Sequence, residues 1–251
     1  MSDPILEVTR LFKSFGGLSA TDDLSLSIRR NETHAIIGPN GAGKTTLLAQ
    51  LSGQLKPTSG SIVYQGMDIT QWDVVKRVRR GIVRSFQITS LWPQLSVLEN
   101  VMLAVQAQQG HAFHFFRAAT AVRNLIGASC EFLHMVELEA KMGAQVYSLS
   151  HGEQRQLELA VALATRPDLL LLDEPLAGMG GDDSQRMVDL LHKLKGQYTI
   201  VLVEHDMDAV FSLADRISVL VYGRCVATDT PLAIRDNEEV RAAYLGEEAI
   251  C

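Results

Sequence analysis

The sequence predicts an α/β fold: a buried parallel sheet interrupted by a helical block, with strands of alternating pattern at its N-terminal end. Three observations carry this. "HAIIG", "DLLLLDEP" and "TIVLVEHD" are short, almost continuously apolar runs, as strands covered on both faces read. Helix-forming stretches separate them, which suits crossover connections between parallel strands. Between about residues 88 and 164 the strand pattern gives way to helix signals.

Taken in order, "ILEVTRLF" and "LSLSIRR" alternate apolar and polar residues and read as strands. "HAIIG" runs straight into a Gly-rich turn, and a helix follows from Thr45 to about Leu55, stopped by Lys56-Pro57. "GSIVYQG" is a strand between glycines, and "GIVRSFQ" is one that ends at Gln87. Ser96-Val97-Leu98-Glu99 is a capping box before "NVMLAVQAQQ". The stretch Ala118 to Lys141 is rich in Ala, Leu and charge, with an interruption at Gly127. Ser150-His151-Gly152-Glu153 is a second capping box opening an amphipathic helix. After "DLLLLDEP" and "TIVLVEHD", strand pattern returns at "RISVLVYGRCVATD". Thr230-Pro231 then starts a last helical tail, Thr as cap and Pro at the first position.

The 251 residues suit one or two domains, and the 47% hydrophobic and 21% charged fractions are those of a soluble globular protein. A net charge of −6 argues against sequence-independent nucleic-acid binding, which relies on neutralising phosphates. The local basic run Lys76, Arg77, Arg79, Arg80 and Arg84 reads as a solvated helix face or a partner contact. Cys130, Cys225 and Cys251 lack metal spacing and read as reduced thiols. No apolar run approaches the ~18 residues of a membrane span, and "MSDPILEVTR" has no apolar signal region.

"HAIIGPNGAGKTT" contains Gly38-Pro39-Asn40-Gly41-Ala42-Gly43-Lys44-Thr45, the pattern G-x-x-x-x-G-K-[ST] after a strand and before a helix. The glycines let successive backbone N–H groups face inward on phosphate oxygens, and the helix N-terminus adds its dipole. Gly38, Asn40, Gly41, Gly43, Lys44, Thr45 and Thr46 are the candidate nucleotide contacts, though the loop alone does not choose between GTPases, kinases, RecA-like motors and transporter ATPases. Lys44 would reach the β- and γ-phosphates, and the Thr45 hydroxyl would ligate Mg²⁺. "LLLLDEP" presents Asp173 and Glu174 at a strand end. Asp173 is a candidate for holding Mg²⁺ through water, and Glu174 for orienting or deprotonating the attacking water. The Ser150 helix start, with its free N–H groups, is an anion site as well as a cap.

With these motifs the chain resembles the ABC ATPases from about Ile5 to Leu245. The resemblance implies a RecA-like P-loop NTPase core with an N-terminal antiparallel β subdomain and an inserted α-helical subdomain. The expected division is an ATP-binding domain over 5–228, the insertion over about 88–164, and a C-terminal helical extension over 229–251. Phe15 in "LFKSFGG" matches the residue that stacks on adenine, with a core role as the alternative. Gln87 in "RSFQ" matches the Gln that joins Mg²⁺ or the lytic water to the helical subdomain. "LSHGEQ", with Leu149, Ser150, His151, Gly152 and Glu153, matches a signature that is usually Leu-Ser-Gly-Gly-Gln. His205 matches the switch histidine at the γ-phosphate. The resemblance further implies two subunits, identical or paralogous, head to tail, each ATP lying between one phosphate loop and the other subunit's Ser150.

"FGGLSATDDLSLSI", "RSFQ", "LSVLENVMLA", "DEPLAGM" and "VRAAYLGEE" look like ATP-binding subunits of branched-chain amino acid importers, whose relatives import urea and short amides. That implies permease partners, an indirect solute-binding protein, no nucleic acid, and a peripheral place on the cytoplasmic face of the inner membrane. Lipopolysaccharide-export ATPases share a similar "YLGE" tail, but "LAGM" fits the amino acid group better. A soluble ABC ATPase of repair or translation would normally carry a coiled-coil insertion or two fused cassettes. An intact Glu174 and His205 argue against a non-catalytic regulatory module. His151 and Glu153 depart from the signature, Gly180 stands where the loop after Glu174 often has Asp, and Asn31 where Gly is common.

Overall fold

The computed structural model describes residues 4–85, 91–108 and 119–240, the side chains at 119–122 and 239 excepted. β1 (Pro4–Phe15) and β2 (Leu18–Arg29) form an antiparallel hairpin around Gly16-Gly17. β3 (Thr33–Ile37) and α1 (Lys44–Ser52) bracket the Gly-rich turn. β4 (Ser59–Tyr64) returns to pair with β1, and β5 (Met67–Asp68) pairs with β4, giving an antiparallel sheet of order β2-β1-β4-β5. α2 (Val74–Arg79) leads into β6 (Ile82–Arg84). The helices α3 (Val97–Gln108), α4 (Ala119–Met135) and α5 (His151–Ala164) come next, and then β7 (Leu169–Asp173). α6 (Gly181–Leu194), β8 (Thr199–Val203), α7 (Met207–Leu213), β9 (Arg216–Val221), β10 (Arg224–Asp229), α8 (Pro231–Asp236) and α9 (Glu238–Val240) complete the described chain.

The second sheet has the order β10-β9-β3-β8-β7-β6 and is parallel except for β10. All residues of β3, β7 and β8 are buried, which is why their sequences are apolar without alternation. Their two faces are nonetheless distinct, because successive side chains point to opposite sides. Leu170 and Leu172 join the core of the helical block with Val101, Phe132 and Leu157. Leu169 and Leu171 join the core around Leu48, Ile36 and β1. Each such leucine contributes ~1.5–3 kcal/mol of burial. Register aligns the strand ends: Ile36 lies beside Val203, and Val203 beside Asp173. The segments after β3, β7 and β8 therefore leave one edge of the sheet, where ligands bind in open α/β folds.

Several expectations need correction. α4 runs through Gly127 without a break, and a side chain there would meet nothing within 4 Å. "RISVLVYGRCVATD" is two strands, a hairpin pairing Val221 with Arg224 across Tyr222-Gly223. The basic run is not one solvated face. Arg77 is 1% exposed, and its guanidinium donates to the carbonyls of Gln50, Leu51 and Ile69, closing the C-terminal end of α1. Burial brings its pKa down to about 10. Asn31 serves the turn expected of it, at a φ of 59°. Thr230 caps α8, accepting from the Ala233 N–H. The "VRAAYLGEE" tail beyond Val240 lies outside the described residues.

Candidate active site

The phosphate loop leaves β3 at Gly38 and ends at Gly43, the N-cap of α1. Both glycines are demanded by space. A Cβ on Gly38 would fall 2.1 Å from the Leu220 carbonyl oxygen, and one on Gly43, whose φ is 100°, 2.1 Å from that of Ala20. The loop is thus wedged between β9 and β2. Lys44 follows at 6% exposure, and its Nζ donates to the carbonyls of Gly38 (2.6 Å) and Pro39 (3.0 Å). Burial pulls the ammonium pKa below its ordinary value, while the charges of Glu174 and Asp173 oppose the fall. The cation is therefore aimed into the loop with acids across from it. Asn40, Gly41 and Thr45 are exposed and Thr46 is half-buried.

At the end of β7, Asp173 is 2% exposed. Its Oδ2 accepts from Arg84 Nη2 at 2.5 Å, and its Oδ1 is buried and accepts no hydrogen bond among the described residues. Such an orphaned carboxylate oxygen suits a cation or its water. A single unpartnered carboxylate oxygen fits a cation held largely by substrate phosphates and water, as Mg²⁺ is. Glu174 sits at a φ of 50°, a left-handed conformation costing a non-glycine residue ~1–2 kcal/mol. Its Oε1 lies 2.7 Å from His205 Nε2, so the ends of β7 and β8 bring together two residues 31 apart in sequence.

The second capping box is intact. Ser150 Oγ accepts from the Glu153 N–H at 3.3 Å, and Glu153 Oε2 accepts from the Ser150 N–H at 3.0 Å. Lys141 pairs with Glu153. Burial raises the Glu153 carboxyl, but the bonds from Lys141 and Ser150 outweigh it, and the pKa falls below its usual value. The acid in place of the usual Gln is thereby matched by a cation. His151 Nε2 lies 3.4 Å from the Ala177 carbonyl oxygen, in the loop after Glu174. Gly152 is needed for close packing on α6, since a Cβ would meet Asp183 Cγ at 2.6 Å. Leu149 is buried beneath the helix start. Gly180, the N-cap of α6, supplies no side-chain bond.

Phe15 is 52% exposed at the end of β1, with Lys13 Nζ 5.5 Å from its ring centroid. That removes the core alternative. Gln87 lies outside the described residues. Sequence reasoning overlooked Arg84 as the partner of Asp173, having placed it in a basic surface run. It also overlooked Glu204, which is 4% exposed and adjoins His205. The clue to both is a charged residue within an otherwise apolar strand or at its end.

A sequence model described as ABC transporter matches residues 21–177, and one described as branched-chain amino acid ATP-binding cassette transporter matches 224–250. The chain is 37% identical to the high-affinity branched-chain amino acid transport ATP-binding protein LivG of Salmonella typhimurium, over 98% of this chain and all of LivG. The crystal structure of the ADP conformation of MJ1267, an ATP-binding cassette of an ABC transporter, superposes with a TM-score of 0.85 at 25% identity, covering 98% of this chain and 100% of that one. The dimeric structure of MJ0796, a bacterial ABC transporter cassette, does so with 0.77 at 27% identity, covering 90% and 98%. With residues 21–177 matching the ABC transporter model and 37% identity to LivG along the whole chain, this is an ATP-hydrolysing cassette, and the chain belongs to the ABC transporter family.

Proposed function

We propose that this chain is the ATPase subunit of an importer of branched-chain amino acids, working as a head-to-tail pair beneath membrane permeases on the cytoplasmic face. The observation that carries the solute class is the end-to-end 37% identity to LivG, together with the match at 224–250. Among the described residues no helix is long and apolar enough to cross a membrane, so permease partners would supply the path. An apolar cavity of 190 Å³ opens between the core and the helical block, lined by Val74, Val78, Ile82, Leu91 and Val161. It supports docking of such a partner beside the site.

In this reading Lys44 and the loop N–H groups hold the β- and γ-phosphates, and Phe15 stacks on the adenine. Thr45 and Asp173, with Gln87, would hold Mg²⁺, which when bound neutralises charge on the phosphate oxygens. Glu174 takes a proton from water as that water's oxygen attacks the γ-phosphorus. The bond from this phosphorus to the bridging oxygen breaks, leaving ADP and phosphate. A base so placed contributes ~10²–10⁴ in rate. His205 holds the Glu174 carboxylate and meets the γ-phosphate. Ser150, Gly152 and the helix start of the other subunit close over that phosphate. ATP favours the closed pair only because it binds that state better, and hydrolysis removes the preference.

The test is reconstitution of the full chain with the permeases encoded beside it in proteoliposomes. A cognate solute-binding protein loaded with leucine, isoleucine or valine should stimulate ATP hydrolysis, and the unloaded protein should not. Stimulation by urea, an amide or another solute, with none by these amino acids, rejects the solute assignment.

A further inference from the structure

Glu204 lies between the two residues of the Glu174–His205 pair, and neither motif explains it. It follows β8 and is 4% exposed. Its Oε1 accepts from the Leu176 N–H at 2.7 Å, and its Oε2 accepts from the His205 N–H at 2.9 Å. The Asp206 N–H is a third donor to the same carboxylate. One side chain thus bridges the segment that carries the proposed base and the segment that carries the histidine.

The backbone accounting makes the bridge specific. Glu174 is held at a left-handed φ, a conformation that persists only where surrounding contacts determine it. The Glu174 N–H donates to the Val203 carbonyl. Pro175 has no N–H to give. The Leu176 N–H goes to Glu204. Every backbone donor from 174 to 176 is therefore tied to residues 203 and 204. The other oxygen of the same carboxylate fixes the start of the 205–206 turn. Accepting on both oxygens suits the ionised carboxylate, although burial raises this carboxyl and the charge of Glu174 raises it further.

We infer that Glu204 is a positioning residue for ATP hydrolysis, a buried carboxylate that clamps the ends of β7 and β8 so that Glu174 and His205 meet. The inference rests on the reading of Glu174 and His205 given above.

The experiment compares steady-state ATP hydrolysis by the full-length parent, Glu204→Gln, Glu204→Asp and Glu174→Gln. The amide of Glu204→Gln retains one acceptor and sets an NH₂ against the other N–H. Its kcat should fall ~10- to 100-fold, the scale of a small misplacement of reacting groups, with KM for ATP within about 2-fold if ground-state binding is untouched. Glu204→Asp retains the charge but draws the carboxylate back by one methylene. Its kcat should also fall with KM for ATP within about 2-fold, and it serves as the second variant should Glu204→Gln not fold. Parent-like kcat in either folded variant overturns the inference. So does a fall in kcat that only tracks the folded fraction, or one accompanied by an equal change in KM for ATP. Glu174→Gln should bind ATP without turnover. Were it to turn over like the parent, the reading of the pair would fail and take this inference with it; an inactive Glu174→Gln beside fully active Glu204 variants removes Glu204 alone.

Discussion

Lys44 illustrates how much of the site one residue carries. A buried ammonium costs solvation, and here two carbonyls of the phosphate loop and two acids across from it make the burial tolerable. Those carbonyls belong to Gly38 and Pro39, whose positions are set by the loop's contacts with β9 and β2 rather than by the lysine. Replacing Lys44 with Ala should therefore leave the fold in place and remove the charge proposed to meet the phosphates. ATP hydrolysis should drop by roughly 100-fold or more, with a circular-dichroism melt close to that of the parent. Near-parent activity in the folded variant would remove Lys44 from the site.

At the scale of one element, the start of α5 is a cap to which a second role is proposed. Ser150 closes a capping box, and its loss should cost ~1 kcal/mol of stability in the subunit that carries the change. The proposed contact with the γ-phosphate would act in the other subunit. A mixed dimer with Ser150→Arg in one copy and Lys44→Ala in its partner separates the two. If the site is shared between subunits, both lesions fall in one site and about half the activity survives, since one of two sites stays intact. If each site lies within one subunit, both are damaged and activity vanishes. Urea melts of Ser150→Ala report the capping loss independently.

Across the whole molecule, a buried polar network joins β3 to β9 and β10. His34 is 0% exposed; its Nδ1 lies 3.2 Å from Glu32 Oε1, and its Nε2 lies 2.7 Å from Ser218 Oγ. Ser218 in turn meets Thr228, and Arg216 and the Arg29 N–H also serve Glu32. Burial lowers the His34 pKa below 6.5, with Glu32 opposing. Burial raises the Glu32 carboxyl, but the bonds from His34 and Arg29 and the charge of Arg216 outweigh it, leaving it below 4.5. In both cases the unfolded chain binds the proton first as pH falls. Stability is therefore full above pH 6.5, falls below it through His34, and falls again below 4.5 through Glu32. The urea midpoint should drop between about pH 7.5 and 5.5, and His34→Asn should flatten that drop. An equal drop in parent and variant would assign the acid sensitivity elsewhere.

The phosphate loop, the two capping boxes and the buried strands were legible in the chain because each rests on local rules: glycine where φ is positive, an acceptor three residues from its donor, unbroken apolar residues where both faces are covered. Linear pattern could not reveal which charges turn inward. Arg77 and Arg84 read as part of a surface run, yet one closes the end of α1 and the other meets Asp173, because the chain's return through α2 and β6 carries them beneath other elements. Gly127 read as a break, but α4 passes through it with the packing of Phe132 and Leu133 on the helical core, which outweighs the ~1 kcal/mol that glycine costs a helix. The meeting of Glu174 with His205, and of Glu204 with Leu176, depends on the register of β7 against β8. Such contacts belong to strands adjacent in the sheet rather than in the chain, and only tertiary packing sets which strand ends share an edge.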